Sequence, residues 1–255
     1  MTGTTSLALR DGALTITLDN AARRNALSLT LLRELKGRLD GVAASGARIV
    51  FLAAEGDMFS AGADLADIQG TAADRHYDMA MDEVCAALRA LPVPVVALIR
   101  GGCIGAAVEL VLSCDIRVAT PDAYLEVPAT RLGLLYKPEA LRRMAHRHAH
   151  DTLVGLLVLG ERQSARCALD AGFLTEMVDK EFLGMRVAAL TSAAARTSPE
   201  AARLTKVLLT ELAEGSADLA DWQDRYTALL DSPERLKQVR ALKERLANTM
   251  KENLG

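Results

Sequence analysis

Two short segments of the chain are almost entirely apolar, namely RIVFLAA at residues 48–54 and VPVVALI at residues 93–99. Continuous apolar runs of this length are typical of strands that are covered on both faces, as in parallel sheets. Helical patterns precede and separate the two runs, and strands that alternate with helices predict βαβ connections. The chain is therefore predicted to fold as an α/β protein.

The N-terminal part carries the signals of a hairpin followed by a helix. The pair Asp11-Gly12 separates SLALR from ALTITLD, which predicts a tight hairpin turn. Farther along, Ser28 precedes apolar residues spaced by threes and fours, so it is predicted to cap a helix. The apolar residues of that helix are Leu31, Leu32, Leu35, Leu39 and Val42.

The sequence pattern changes after Pro138, from alternating strands and helices to candidate helices that follow one another. The tripeptide Ser-Pro-Glu occurs at residues 198–200 and again at 232–234, and it combines a helix cap, a proline at the first helical position and an acid in the first turn. These signals predict three consecutive helices. Their predicted bounds are 199–214, 217–230 and 233–250. We therefore expect an α/β core over residues 1–195 and a helical region over residues 196–255.

Composition excludes several classes of protein. The net charge is −3 and the pI is near 5.9, which gives no general attraction to nucleic acid or to an anionic membrane. No apolar window reaches the roughly 18 residues of a membrane span. The four cysteines form no C-x-x-C pair, so a zinc or thioredoxin-like site has little support. We expect a cytoplasmic protein without a metal or redox cofactor.

The segment RGGCIGAAVEL at residues 100–110 places one acid among small and apolar side chains. Its glycines predict a flexible turn, and a helix is expected to begin near Ala106. The first N–H groups of a helix lack internal partners and favour an anion. Glu109 lies about one turn later on the same face, where a carboxyl group could transfer protons beside a developing enolate. The alternative is a tight structural turn with a Glu paired to an Arg.

A second loop, FSAGADL at residues 59–65, follows the apolar run RIVFLAA. Gly62 stands there between two alanines, so small side chains leave the backbone accessible. Two such loops, each after an apolar strand, could direct two N–H groups at one carbonyl oxygen.

The chain at this point resembles the crotonase (enoyl-CoA hydratase/isomerase) superfamily. The resemblance rests on RNAL at 24–27, FSAGADL at 59–65, PVVALIRGGCIGAAVELVLSCDIRVAT at 94–120, RLGLLY at 131–136 and SARCALDAGFLTEMVD at 164–179. It implies a crotonase (ClpP-like) spiral of ββα units with a C-terminal helical trimerisation region. Trimers, often paired into hexamers, are typical of such proteins. The implied ligand is an acyl-CoA thioester, in which coenzyme A is part of the substrate.

The resemblance also assigns roles to residues. The carbonyl oxygen of the thioester would lie between the backbone N–H groups of Ala63 and Ala106. The loop around Ala61 would meet the adenine end of CoA, and Arg24 would lie near its phosphates. Lys243 and Arg245 on the last helix are candidate CoA contacts, although solubilising surface charges explain them equally well. The remaining substrate contacts that the resemblance implies are Ala26, Asp64, Leu65, Ile68, Gly105, Ala129 and Leu132.

One catalytic acid of the hydratases is missing from the pattern. Glu109 matches the first of their two glutamates, but Ala129 stands where the second is expected. Glu126 lies three residues earlier, and strand alternation puts it on the opposite face from Ala129. Ala106 and Ala107 replace glycines, so their methyl groups narrow the pocket.

Tyr136 raises an alternative reaction. The methylmalonyl-CoA decarboxylase branch lacks the second glutamate and has a tyrosine in a loop that resembles LGLLY, although it has a histidine where this chain has Ala63. Tyr136 could equally be an ordinary aromatic at the pocket edge. Enoyl-CoA hydratase or double-bond isomerase is the leading prediction. The alternatives are a malonyl-type decarboxylase or C–C lyase, a thioester hydrolase, and a non-catalytic acyl-CoA-binding subunit.

Two other groups of residues were ambiguous at the level of sequence. The stretch HRHAH places His146, His148 and His150 close together, and His146 and His150 would share a face if the stretch were helical. A solvated basic face or an oligomer contact is the favoured interpretation. Tyr77 lies in QGTAADRHYDMAMDE, a segment expected to be mobile, and could either line the acyl pocket or lie on the surface.

Overall fold

A computed structural model of the chain describes the backbone of residues 3–252 and the side chains of residues 3–246. The strands in this part are β1 (Thr4–Arg10), β2 (Ala13–Asp19), β3 (Ile49–Ala54), β4 (Val95–Ile99), β5 (Gly102–Ile104), β6 (Ile116–Ala119), β7 (Tyr124–Glu126), β8 (Gln163–Ser164) and β9 (Glu176–Met177). The helices are α1 (Leu29–Asp40), α2 (Arg75–Ala90), α3 (Ala106–Leu112), α4 (Pro138–Ala145), α5 (His150–Leu153), α6 (Ala165–Asp170), α7 (Leu183–Ala195), α8 (Pro199–Glu214), α9 (Leu219–Leu230) and α10 (Pro233–Glu252).

The strands form two sheets. The larger sheet has six strands in the order β1-β2-β3-β4-β6-β9, and the smaller has three in the order β5-β7-β8. All neighbours in the larger sheet are parallel except β1 and β2. From β4 to β7 successive strands alternate between the sheets, since β4 and β6 belong to the larger sheet while β5 and β7 belong to the smaller one. A helix follows β5 and several follow β7, which is a repeating ββα arrangement.

The N-terminal hairpin has the predicted turn. Arg10 pairs with Ala13 across the antiparallel ladder, and Asp11 and Gly12 have φ of 51° and 76°. Positive φ at both central residues is what a type I′ turn requires, and Asp-Gly adopts it readily.

Helix α1 begins where its cap was predicted. The Ser28 side chain accepts a hydrogen bond from Leu31 N, and the leucines of the apolar face are buried. Val42 is buried too, but the helix ends at Asp40 and Val42 lies in the 3-10 turn Val42–Ser45.

The two apolar runs form β3 and β4 at the centre of the larger sheet, as predicted. Val50 and Leu52 of β3 pack in the main core together with α1, α2 and α3. Ile49 and Phe51 point the other way and pack against residues of α7. Because both faces of the sheet are covered, every position of these strands except Ala53 and Leu98 is fully buried.

The chain divides into two compact units, residues 1–196 and residues 197–255. The second consists of α8, α9 and α10. Ser198 caps α8 and Ser232 Oγ accepts a hydrogen bond from Arg235 N at the start of α10, so both predicted helix starts are confirmed. Helix α9 begins at Leu219 rather than at 217 because Asp218 caps it. Across the described residues, no helix has the length and apolar character needed to cross a membrane.

The histidine-rich stretch differs from its prediction. Helix α4 ends before His146 and α5 begins at His150, so these two residues do not share one helical face. His148 between them is half-buried, and its ring packs on Phe173 with a centroid distance of 4.3 Å.

Candidate active site

The two glycine-containing loops meet in the first compact unit. Gly62 has φ of 91°, and a Cβ at this position would lie 2.5 Å from the Ile104 carbonyl oxygen and 3.4 Å from the Ala106 nitrogen. Only a residue without a side chain permits this approach. Gly105, with φ of 56°, then turns the chain into α3, whose first residue is Ala106.

Two backbone N–H groups at this junction are unpaired. Ala106 opens α3, so its N–H has no intrahelical acceptor. In the second loop, Gly62 O and Asp64 N bond to the backbone of Leu27, which leaves the N–H of Ala63 outside the ladder. Within the described chain neither N–H donates a hydrogen bond, and both alanines line one pocket. A pair of such donors can bind a carbonyl oxygen as it gains negative charge.

The pocket has a volume of about 210 Å³ and a mostly apolar lining. The structure brings together ten of the residues that the sequence predicted as a site. They are Ala61, Ala63, Leu65, Ile68, Gly105, Ala106, Glu109, Ala129, Leu132 and Tyr136. Leu65 and Leu132 are largely exposed at its mouth, together with Leu134 and Leu135.

Other predicted contacts lie outside this lining. Asp64 is buried, forms an ion pair with Arg23 at 2.8 Å and caps the short turn that follows it. Ala26 is buried, while Arg24 is exposed and its backbone oxygen accepts a hydrogen bond from Ala61 N.

The two basic candidates in the C-terminal unit, Lys243 and Arg245, have exposed side chains on α10.

Glu109 is the fourth residue of α3 and only 4% exposed. Its Oε2 lies 3.2 Å from Lys137 Nζ, and its Oε1 lies 3.3 Å from Arg143 Nη2. Burial raises the pKa of this carboxyl group, and the two cations oppose that effect without cancelling it. Glu109 is therefore both paired with an arginine and part of the pocket lining.

Sequence reasoning missed Lys137, which lines the pocket beside Tyr136. Its Nζ contacts Asp82 at 2.6 Å as well as Glu109. The neighbouring carboxylates, Glu109 first, raise the pKa of Lys137 against the opposing effect of burial, so the lysine remains a cation. No local signal in YKPEAL identifies these partners, because Asp82 is 55 residues away in the chain.

Helix α2 contributes residues that the sequence left ambiguous or unassigned. It covers most of the segment expected to be mobile. Tyr77 is buried in the pocket wall, and its hydroxyl donates to Leu27 O. Asp78 also lines the pocket, and burial raises the pKa of its carboxyl group. Asp74 lines it too, but its oxygens accept from the N–H groups of Gln69 and Gly70.

Tyr136 has its hydroxyl 3.4 Å from Gly105 O, to which it donates. Burial and then the charge of Glu109 raise the pKa of the phenol. The group therefore keeps its proton at neutral pH, and it can act as a donor or weak acid but not as a base.

Glu126 and Ala129 have different surroundings, as predicted. Strand alternation is not the reason, because β7 ends at Glu126 and Ala129 begins the 3-10 turn Ala129–Leu132. Ala129 lines the pocket, whereas the carboxylate of Glu126 is held away from it by Arg131 and Arg162, each at 3.0 Å.

Comparison with known proteins gives the relatives of this chain. Residues 9–250 match the sequence profile of a family described as enoyl-CoA hydratase/isomerase. The probable enoyl-CoA hydratase echA6 of Mycobacterium bovis is 35% identical over 162 residues, which cover 64% of this chain and 65% of that relative, slightly under two thirds of its length. The mitochondrial Delta(3,5)-Delta(2,4)-dienoyl-CoA isomerase of Mus musculus is 28% identical over 253 residues, covering 91% and 76%.

Solved structures agree on the fold. A crystal structure of an enoyl-CoA hydratase from Mycobacterium smegmatis superposes with a TM-score of 0.85 at 28% identity, covering 94% of this chain and 96% of that one. This likeness confirms the predicted α/β crotonase fold and its C-terminal helices.

Proposed function

The chain belongs to the enoyl-CoA hydratase/isomerase family, and we propose that it acts on an acyl-CoA thioester by stabilising the enolate of the acyl group. The observation that carries this proposal is the position of Glu109, one helical turn from an unpaired N–H, in a pocket lined by a second unpaired N–H. The Ala63 and Ala106 N–H groups would hold the thioester oxygen, and the apolar walls suit an apolar acyl chain.

Double-bond isomerisation is the reaction that a single carboxylate performs most directly. The Glu109 carboxylate removes a proton from C2 of a 3-enoyl thioester, and the electron pair moves onto the thioester oxygen. The two N–H groups stabilise that negative charge. Glu109 then returns the proton to C4, which leaves the double bond between C2 and C3. The cation of Lys137 supports this cycle because it favours the ionised form of Glu109 before each turnover.

Hydration of a 2-enoyl thioester is the second member of the same reaction class, and Asp78 favours it. Hydration requires one group to activate water and another to protonate carbon, and paired carboxylates share that work well. Position 129 offers no acid, but Asp78 supplies a second carboxyl group to the pocket from α2. Replacement by Asn would abolish hydration and spare isomerisation if Asp78 has this role.

Decarboxylation of a malonyl-type thioester is the alternative that Tyr136 supports. Loss of CO₂ leaves an enolate at the oxyanion site, which then needs only a weak acid to protonate carbon. The protonated phenol of Tyr136 is such an acid, and Tyr136→Phe would then slow protonation of the enolate and formation of the decarboxylated acyl-CoA while keeping acyl-CoA binding.

A panel of thioesters tests these possibilities together. Purified protein is incubated with crotonyl-CoA, a 3-enoyl-CoA, malonyl-CoA and methylmalonyl-CoA, and the products are identified by mass spectrometry. Isomerisation of the 3-enoyl thioester is the expected result. Binding of every thioester without turnover of any would overturn the catalytic proposal and favour an acyl-CoA-binding subunit.

We also propose that the protein assembles as a trimer or as a hexamer of paired trimers in the cytoplasm. Helices α8 to α10 leave several leucines exposed, including Leu209, Leu219 and Leu246, and exposed apolar patches often mark interfaces. Sedimentation at micromolar concentration tests this assembly, and a monomer would contradict it. The proposed reactions transfer protons, add water or release CO₂ without a change that needs an electron carrier, so we expect no metal or redox cofactor.

A further inference from the structure

Two chains of charged groups lead from the Glu109 carboxylate to the surface. In the first, which we call the lysine chain, Lys137 Nζ lies 3.2 Å from Glu109 Oε2 and 2.6 Å from Asp82 Oδ1. In the second, the arginine chain, Arg143 Nη2 lies 3.3 Å from Glu109 Oε1, and Arg143 Nη1 lies 3.4 Å from Glu139 Oε1. Each chain therefore passes from a buried carboxylate through one cation to a second carboxylate.

Exposure to solvent increases along both chains in the same order. Glu109 is buried, and the side chains of Lys137 and Arg143 are largely shielded. The side chains of Asp82 and Glu139 are 52% and 59% exposed, so these outer carboxylates exchange protons directly with bulk water. Either chain would connect Glu109 to solvent if its cation could pass a proton on.

The two cations differ in this ability. An ammonium group carries three protons on one rotatable nitrogen, and a lysine in a protein can release one of them. A guanidinium group is always protonated, so it stabilises a neighbouring carboxylate but transfers no proton. Proton transfer is therefore possible along the lysine chain and not along the arginine chain.

The lysine chain is also well ordered for such a transfer. A hydrogen bond of 2.6 Å joins Lys137 Nζ to Asp82 Oδ1 and fixes the ammonium group between two carboxylates. Charge-assisted bonds of this kind are shorter and stronger than neutral ones. Burial disfavours the charged form of Lys137, but the neighbouring carboxylates outweigh that effect and raise its pKa. The ammonium ion is therefore the resting form, with a proton available for each neighbour.

The proposed isomerisation, on which this inference rests, gives the chain a task. Glu109 holds a proton after it leaves C2 and before one is delivered to C4. During that interval the acyl group occupies the pocket that Glu109 lines. Burial raises the pKa of Glu109, so its carboxyl group holds the proton more firmly than an exposed carboxyl group would.

We propose that Lys137 and Asp82 form a proton relay between Glu109 and solvent. The carboxyl group of Glu109 gives its proton to Lys137 Nζ while Lys137 gives one of its own protons to Asp82. Lys137 ends as an ammonium ion, Glu109 as a carboxylate, and Asp82 as a carboxylic acid that releases the proton to water. The reverse sequence protonates Glu109 from solvent. Asp82 lies outside the described lining of the acyl pocket, so it acts on the reaction only through Lys137.

An isotope experiment follows the transferred proton. A 3-enoyl-CoA with two deuterium atoms at C2 is isomerised in ordinary water, and the 2-enoyl product is analysed by mass spectrometry at low conversion. Product that keeps both deuterium atoms reports direct return to C4, and product that keeps one reports exchange with solvent. We expect the wild-type protein to give chiefly the singly labelled product.

Two variants block the relay at different points. Asp82→Asn keeps an acceptor for Lys137 but cannot take up the proton, and Lys137→Arg keeps the positive charge but cannot release a proton. Each variant should raise the ratio of doubly to singly labelled product several-fold in the molecules that turn over. A residue with a purely structural role would change the rate without changing this ratio.

The matched control is Glu139→Gln. Glu139 is the outer carboxylate of the arginine chain and is exposed much as Asp82 is, but its partner Arg143 transfers no proton. Its product ratio should equal that of the wild type, and thermal melts should show that all three variants are folded. A rise in Glu139→Gln as large as that in Asp82→Asn would overturn the relay.

The competing route is direct exchange with water in a second cavity that Glu109 also lines. It predicts the same product ratio in the wild type and in both relay variants, and that result would overturn the relay while leaving the isomerisation in place. A wild-type product that keeps both deuterium atoms would do the same. No turnover of the labelled thioester by the wild type would instead overturn the proposed isomerisation, and the relay with it.

Discussion

Glu109 and Glu126 are both buried and each is paired with two cations, but the cations differ in how far they are exposed to solvent. Glu109 is 4% exposed and Glu126 is 9% exposed, and each is held by two cations. The contacts of Glu126 are shorter, at 3.0 Å, but its arginine partners have side chains that are 56% and 59% exposed. The partners of Glu109, Lys137 and Arg143, are only 18% and 17% exposed.

The difference indicates which feature would separate a carboxylate with the proposed catalytic role from a structural one. Burial and ion pairing are common to both groups, so neither is diagnostic. Each oxygen of Glu126 is paired with a solvated arginine, outside the acyl pocket. Glu109 is shielded from solvent along with its partners, and it lines the candidate active-site pocket. The experiments below test that contrast.

The largest effect is expected from Glu109→Gln. The amide keeps the shape of the side chain but cannot take up a proton, so turnover should fall by roughly 100-fold or more. Acyl-CoA affinity should change little, because the groups proposed to hold the thioester oxygen are backbone N–H groups. Steady-state kinetics and a binding titration measure the two quantities separately. Unchanged turnover would show that Glu109 is structural, as Glu126 is.

Ala129→Glu asks whether the missing hydratase acid can be restored. A correctly positioned carboxyl group should raise hydration of crotonyl-CoA by about tenfold from a low starting value. Ala129→Gln is the control, since it adds similar bulk without an acid. If the Ala129→Glu and Ala129→Gln variants hydrate crotonyl-CoA at the same rate, the lack of an acid at position 129 is not what limits hydration.

The wild-type rate in the same assay is also informative. Hydration with kcat/KM on the order of 10⁴ M⁻¹s⁻¹ or above would show that another group, with Asp78 the first candidate, already supplies the second acid.

Lys137→Met should change the pH dependence of turnover. Burial raises the pKa of Glu109 above its ordinary value of 4.5, and the charge of Lys137 lowers it in opposition. Removing that cation raises the pKa further, so less Glu109 is ionised at a given acidic pH. The acid limb of the kcat/KM profile should move to higher pH, with a several-fold loss on that side. Lys137→Arg should return the limb toward its original position, and a profile that does not move would separate Lys137 from the reaction.

Glu126→Gln should have the smallest effect on turnover, within about twofold, because its carboxylate does not reach the pocket. Stability should fall by about 1 kcal/mol, since both arginine partners are exposed to solvent and no buried charge is left unpaired when the carboxylate is removed. Chemical denaturation measures the free energy of unfolding. A large loss of turnover in a variant of normal stability would contradict the structural assignment of Glu126.

Features fixed by neighbouring residues were predictable from the sequence. The hairpin turn at Asp11-Gly12, the Ser28 cap and the start of α3 at Ala106 each depend on chemistry within a few positions. The apolar runs of β3 and β4 predicted strands covered on both faces, because apolar side chains at successive strand positions point to opposite faces and both faces must then be buried. In the site, the glycine loops and Glu109 were found for the same reason.

Features that depend on distant parts of the chain were not predictable. Asp82 and Lys137 meet across 55 residues, and Asp78 reaches the pocket only because α2 packs beside α3. Asp64 was placed among the substrate contacts, but its carboxylate bonds to Arg23 and caps a turn instead. A polar residue in a loop near a site can serve the loop or the ligand, and only the three-dimensional arrangement distinguishes the two.

The close approach at Gly62 limits how this scaffold can acquire new selectivity. The Ile104 carbonyl occupies the space that any side chain at position 62 would need, so a library randomised there would consist mostly of misfolded clones. The walls are more permissive, because positions 106 and 129 already carry methyl groups in the pocket lining. Directed evolution toward longer or branched acyl groups should therefore diversify those walls and leave the junction of the two loops untouched.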